Sequence, residues 1–340
     1  MWVEAKFWEK RGDEIRCLLC PHQCLIGVDR VGRCGVRKNV GGRLVSLSYG
    51  RVVASNLDPI EKKPIFHFLP GSLSFSIATP GCNFRCRFCQ NWQISQDLSW
   101  IEKLEFVKPE RVVEIALRYQ ASSISYTYTE PTIFYEYAYD ICELAREKNL
   151  ANIFVSNGFI NPEPAKRLKG LLDAINVDLK AFNDETYQKI CGGRLGPVLD
   201  TIRLMHELGV WVEITTLLIP GINDSDEELA NIAEFIAGIS IDIPWHISAF
   251  HPDYKMLDRG PTPLQTLLRA ESIGKKVGLR YIYLGNVARE ENTYCPECGA
   301  LLVRRIGFNV LENYLSINGG YCPECGFKVE GLWSSIDNPG

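Results

Sequence analysis

The sequence predicts an α/β fold, a full or partial (β/α) barrel. Two observations carry this. From Ser74 onward short apolar runs alternate with amphipathic stretches of helical length, and polar or special residues recur where the runs end. The strands are expected at 74–78, 122–128, 151–155, 174–179, 211–219, 245–250 and 280–284, and the helices at 109–119, 133–148, 164–171, 198–208, 226–236 and 262–277. Strand-then-helix repetition of this kind builds a parallel sheet with right-handed crossovers. Six or more units suit a barrel better than two small domains, although a doubly wound open sheet fits the same alternation.

Before residue 70 the pattern is irregular. Short strands are expected at 44–47 and 51–54, with turns at Gly41-Gly42 and Tyr49-Gly50. Beyond it, both α/β architectures place working residues at the C-terminal ends of strands. The chain supplies Thr79-Pro-Gly-Cys82, Thr127-Tyr-Thr-Glu-Pro131, Ser156-Asn-Gly158, Asp178-Leu-Lys180, Pro220-Gly and His251-Pro at those ends. That recurrence is the sequence signature of a site.

Composition narrows the class. There are 340 residues, 46% of them hydrophobic, with 37 Lys+Arg against 41 Asp+Glu, so 37 − 41 = −4. This is too apolar for disorder and too acidic for a protein that coats DNA. No run approaches the roughly 18 apolar residues of a membrane span. Charges interrupt the apolar residues of the first eleven positions, unlike a signal peptide. A cytoplasmic, soluble protein is expected. Thirteen cysteines then stand out. An odd number without a signal peptide fits a disulfide framework poorly, so metal ligation or catalysis is expected. Cys17, Cys20, Cys24 and Cys34 form one cluster; Cys82, Cys86 and Cys89 a second; Cys295, Cys298, Cys322 and Cys325 a third. Cys142 and Cys191 are isolated and read as packing residues, with Cys191 kept as a possible active-site thiol.

Cys82-x3-Cys86-x2-Cys89 follows the first barrel strand directly. Three thiolates at this spacing can hold three irons of a cubane cluster, and no cysteine lies in the next fifty residues to complete the set. The fourth iron is then open to a small ligand. Three buried or zinc-binding cysteines would be the plain alternative.

This loop resembles that of the radical S-adenosylmethionine (SAM) superfamily. The resemblance implies a partial (β/α)6-type radical SAM barrel. It also implies a [4Fe–4S] cluster on Cys82, Cys86 and Cys89 whose unique iron chelates SAM. Reductive cleavage of SAM there gives a 5′-deoxyadenosyl radical that abstracts hydrogen from a substrate. Tyr128-Thr129-Glu130-Pro131 stands where the family has Gly-Gly-Glu, so Glu130 is expected to help hold the SAM amino group, although both glycines are absent. Asn157, Asp178, Lys180 and His251 resemble strand-end contacts to SAM in the pyruvate formate-lyase activating enzymes. Phe88 resembles the aromatic that packs near the adenine, and Gln90 and Thr129 fall in the same motifs. His22, His67, His206 and His246 carry no motif.

Cys295-Pro-Glu-Cys298 and Cys322-Pro-Glu-Cys325 are paired knuckles, each followed by glycine. They predict a tetrahedral structural site, with zinc the default metal, in a rubredoxin-like ribbon. The spacing Cys17-x2-Cys20-x3-Cys24-x9-Cys34 fits either zinc or an iron–sulfur cluster. The expected divisions are thus a Cys-rich N-terminal extension (1–70), a barrel (71–288) and a C-terminal zinc ribbon (289–340).

The longer motifs, from Asp58-Pro-Ile-Glu-Lys-Lys through Gly81-Cys-Asn-Phe to Tyr128-Thr-Glu-Pro-Thr132, resemble the AmmeMemoRadiSam-system radical SAM proteins. That resemblance implies an activase-like enzyme fed by a reduced electron donor of ferredoxin or flavodoxin type, with AMMECR1-like and Memo-like proteins as partners. Modification of a small molecule or a nucleic-acid base, with nucleic-acid binding left open, and a non-catalytic metal-binding scaffold are the alternatives.

Overall fold

A single eight-stranded sheet organises the chain. Its strands are β1 (Ala54–Pro59), β2 (Leu73–Ala78), β3 (Ser123–Tyr126), β4 (Ala151–Ser156), β5 (Ala174–Asp178), β6 (Trp211–Leu218), β7 (Trp245–Ala249) and β8 (Ile282–Gly285). In space they follow chain order, from β1 at one edge to β8 at the other, without pairing back. Strands β2 to β8 are parallel throughout, and β1 runs antiparallel along β2. The result is a partial barrel. The computed structural model describes residues 2–99 and 101–334; the last six residues of the expected ribbon lie outside the described residues.

The strands form where apolar, β-branched runs can be buried on both faces, as parallel sheets require. All four residues of β3 are buried, and its neighbour β4 is nearly so. The barrel interior is small and partly polar at its first strands, where Ser74 and Ser125 hydroxyls meet at 2.6 Å across the ladder. Six helices cross between the parallel strands: α1 (Pro109–Arg118), α2 (Tyr135–Arg146), α3 (Pro162–Lys166), α4 (Leu195–Glu207), α5 (Asp226–Ala237) and α6 (Leu264–Val277). Each turns an apolar stripe to the sheet. In α5 the stripe is Leu229, Ile232, Ala233 and Ile236. Ser225 caps that helix by accepting from the Glu228 amide at 3.2 Å. Helix α3 is shorter than the expected 164–171. It starts two residues earlier, with Pro162 at the first position where the missing N–H costs nothing, and it has ended well before Gly170, which has φ +76°.

The N-terminal segment folds into two small antiparallel sheets, one of which carries Cys17 at the end of strand Glu14–Cys17. It is bolted to the barrel by a buried ion pair, Arg37 to Glu136 of α2 at 2.5 Å. Strand β1 lies before the expected boundary at residue 70 yet belongs to the main sheet, pairing with β2 along its whole length. The expected strand at 51–54 is displaced into it. At the other end three short strands, Thr293–Tyr294, Leu301–Ile306 and Asn309–Asn313, form an antiparallel ribbon against the barrel floor. There Phe66, Tyr281, Tyr283, Leu302, Val303, Leu315, Val329 and Trp333 make one buried cluster. Arg305, fully buried, reaches across it. It donates to the Phe66 carbonyl at 2.8 Å and lies 4.4 Å over the Phe66 ring.

Candidate active site

Four of the six strand ends, at Cys82, Thr127–Glu130, Asn157 and Asp178–Lys180, converge on one cavity of about 450 Å³, and the Pro220-Gly end does not reach it; small-molecule sites share that size. After β2 the chain turns at Gly81 (φ +105°) into the three-cysteine loop. A side chain at Gly81 would strike Val36 at 2.9 Å and the Cys34 carbonyl at 3.0 Å, so glycine is needed for both backbone and space. The loop is gripped from outside. A turn at Tyr187–Cys191 accepts the Arg85 amide on the Cys191 carbonyl (2.7 Å) and the Arg87 amide on the Ile190 carbonyl (3.0 Å). Arg85 closes the inner side by donating to the carbonyls of Cys82 and Phe84. Cys82, Cys86 and Cys89 then line the cavity, and among the described residues no other cysteine does.

Each sulfur has its own environment. Asn157 Nδ2 stands 3.8 Å from Cys82 Sγ, and the Ser95 hydroxyl 3.3 Å from Cys89 Sγ. Burial raises the pKa of Cys82, and the nearby Glu130 carboxylate adds to it. Burial also raises Cys89, against the Ser95 hydrogen bond. Cys86 moves the other way, chiefly because the Cys191 thiol donates to it and also because Lys180 is close. Burial opposes the charge on Lys180, but Asp178 and the thiols of Cys86 and Cys191 outweigh it and hold its pKa well above the usual lysine value. Lys180 Nζ pairs with Asp178 at 2.9 Å and lies 5.6 Å over the Phe88 ring.

Glu130 is buried and heavily engaged. Its Oε1 accepts from the Thr132 amide (3.0 Å), the Thr132 hydroxyl (2.6 Å) and the Ser156 hydroxyl (2.8 Å), while Oε2 accepts from the Asn157 amide (2.8 Å). Two of the four bonds, from Ser156 and Asn157, therefore tie this loop after β3 to the end of β4. Phe88, Gln90, Thr129, Glu130, Asn157, Asp178 and Lys180 all line the cavity. His251 does not. It is exposed on the rim, with both ring nitrogens 3.4 Å from Gln90 Nε2. His67 and His246 lie in the barrel floor and meet Tyr283 and Glu213.

Sequence reasoning missed several lining groups. Lys62 and Lys63 arrive from the N-terminal segment and pair with Asp58, to which the Tyr128 hydroxyl also donates. Tyr128 takes φ +62° at the place of an expected glycine. Thr215 contributes a buried hydroxyl with no protein partner. The Asp58-Pro-Ile-Glu-Lys-Lys motif was visible in the sequence, but its approach to Tyr128 depends on β1 joining the sheet.

Three inward thiols, a cation beside them, an unpartnered hydroxyl and a cavity at the strand ends fit a site-differentiated iron–sulfur cluster with a nucleotide-sized ligand. A partial parallel barrel with such a loop defines the radical SAM class of enzymes. Residues 76–236 match the radical SAM superfamily, and the chain belongs to it. An uncharacterized protein of Methanocaldococcus jannaschii is 45% identical over 331 residues, covering 96% of this chain and 98% of that one. The pyruvate formate-lyase-activating enzyme of Streptococcus mutans is 24% identical over 213 residues, 58% of this chain and 79% of that enzyme. In structure, a radical SAM methyltransferase from Sphaerobacter thermophilus matches with TM-score 0.52 at 16% identity, over 88% of this chain and 81% of that one, which is a likeness of fold. The chain is thus an enzyme with distant similarity to glycyl-radical activating enzymes, and the scaffold alternative is set aside.

The ribbon is a separate centre. Cys295 and Cys325 sulfurs are 3.6 Å apart, as are those of Cys298 and Cys322, and all four lie within 4.8 Å of one another. A single tetrahedral ion suits this spacing. Among the described residues no helix is long and apolar enough to cross a membrane.

Proposed function

We propose that the enzyme binds SAM on a cluster held by Cys82, Cys86 and Cys89 and uses it to abstract hydrogen from a protein substrate, as an activating enzyme does. When bound and reduced, this pair of groups supplies a 5′-deoxyadenosyl radical and methionine. The chain's own residues do the rest. Lys180 offsets thiolate charge beside Cys86, and Asp178 holds the lysine in place. Asn157, fixed through its amide by Glu130, presents its side chain to Cys82. Phe88 offers an aromatic face to an adenine, Gln90 and Thr129 polar edges, and the unpartnered Thr215 hydroxyl a further hydrogen bond. Glu130 keeps one acceptor position on Oε2 for the SAM amino group, and His251 serves at the rim through Gln90. The carrying observation is the three-thiol wall of a strand-end cavity in which no other cysteine takes part.

The similarity to the activating enzyme favours a protein substrate. The AMMECR1-like and Memo-like proteins of the AmmeMemoRadiSam system are the candidate partners, and a ferredoxin or flavodoxin the candidate reductant. Zinc is assigned to the ribbon. The test is anaerobic reconstitution followed by dithionite and SAM. Wild-type protein is expected to release 5′-deoxyadenosine, and Cys86→Ala none. Retained release in Cys86→Ala would remove the loop from the chemistry. Activation is read as a stable radical on the partner by electron paramagnetic resonance.

A further inference from the structure

The N-terminal cysteines are built for a metal, and their spacing selects which kind. Cys17, Cys20, Cys24 and Cys34 line one small pocket. Leu19, Ile26 and Ile133 form its apolar wall. Every sulfur is met by a backbone N–H: from Leu19 to Cys17, His22 to Cys20, Arg33 to Cys24 at 3.4 Å, and Val36 and Arg37 to Cys34. Amides aimed at sulfur favour thiolates. The same cavity is lined by Arg37, whose buried Nε has no acceptor in the protein and whose charge acts on both Cys17 and Cys34.

Size separates the two possible occupants. A single zinc with bonds of roughly 2.3 Å needs its sulfurs about 3.8 Å apart. The ribbon meets this. The N-terminal set does not: among the described residues only the ribbon brings three or more sulfurs within 4.8 Å of one another. The four N-terminal thiols act on one another electrostatically yet stand apart. A cubane cluster places its own core between the ligands and needs such a wider cage. Among the described residues the three thiols of the Cys82 loop likewise do not fall within 4.8 Å of one another.

We propose that Cys17, Cys20, Cys24 and Cys34 hold a second [4Fe–4S] cluster, fully ligated by protein and set directly behind the three-cysteine loop. The wall between the two sites is shared. Asn83, next to Cys82, lines the N-terminal cavity, and its carbonyl lies 2.9 Å from His22 Nε2. The assignment goes beyond SAM cleavage and does not depend on it.

The test is metal content and electron paramagnetic resonance on the full chain, reconstituted anaerobically with iron and sulfide. Wild-type protein is expected to hold about eight irons and one zinc, and the variant with Cys82, Cys86 and Cys89 all changed to Ala about four irons. The dithionite-reduced signal of that variant is expected to ignore added SAM. The double variant Cys20→Ala/Cys24→Ala should keep about four irons with a SAM-sensitive signal. If the double variant fails to fold, the wild-type count and the triple variant still decide. Zinc or a single iron at the N-terminal site in the triple variant, or only four irons in the wild type, would overturn the assignment. About eight irons without release of 5′-deoxyadenosine would instead defeat the functional proposal and leave this one standing.

Discussion

Lys180 stands beside the thiols of Cys86 and Cys191 and pairs with Asp178 at 2.9 Å. Lys180→Met leaves that carboxylate and the thiolates uncompensated. SAM binding to the reconstituted enzyme is expected to weaken by about tenfold, the loss of one charge-assisted hydrogen bond. Titration calorimetry checks it, and unchanged affinity removes Lys180 from the site. Glu130 makes a different prediction. Glu130→Gln turns an amide N–H₂ toward donors already at Thr132, Ser156 or Asn157, so a stability loss of about 2 kcal/mol is expected by urea denaturation. At this scale the sequence exposed Cys82, Cys86, Cys89, Asn157, Asp178 and Lys180, because each sits at the end of an apolar run. It hid Lys63 and Thr215, whose places come from tertiary contacts with no local pattern. His251 obeyed the pattern and still fell on the rim, since the chain leaves β7 outward through His251-Pro252.

Elements were legible in proportion to their burial. The seven parallel strands are largely buried on both faces, so each run declared itself to within about two residues at its ends. Strand β1, Ala54-Ser-Asn-Leu-Asp-Pro59, is an edge strand with exposed Ser55, Asn56 and Leu57, and such strands carry no alternation to detect. The loop and the Tyr187–Cys191 turn behave as one mechanical unit, joined by two backbone hydrogen bonds. Gly81→Ala tests that unit. The left-handed backbone and the contacts with Val36 and the Cys34 carbonyl should cost about 1–3 kcal/mol and displace the loop. Iron content after reconstitution is expected to fall in the same variant, since the loop carries three of the ligands. Full loading at wild-type stability would show that the turn tolerates a side chain.

Across the whole molecule the barrel floor and the ribbon are one packed body. Arg305→Ala leaves buried Glu61 without its counter-charge and removes the donor to two carbonyls of this joint, and a loss of about 3–5 kcal/mol is expected in denaturant. His67 makes the joint sensitive to acid. It sits fully buried between Tyr283, at 2.7 Å, and the Glu330 carbonyl, at 3.1 Å, and burial lowers its pKa to about 4. The depressed folded value means that its contribution is complete above pH 6.5 and fades as pH falls toward 4, by about 3 kcal/mol in all. Thermal midpoints of wild type and His67→Gln should therefore converge on acidification, and parallel curves would refute the link. Sequence spacing foretold the paired knuckles of the ribbon, but not that Phe66, Arg305 and Trp333 would lock it under the barrel.

That lock has a physiological corollary. A metal ion at Cys295, Cys298, Cys322 and Cys325 would organise the ribbon that packs beneath the barrel. Scarcity of that one element would then unseat the floor under a cavity in which the ion itself takes no part.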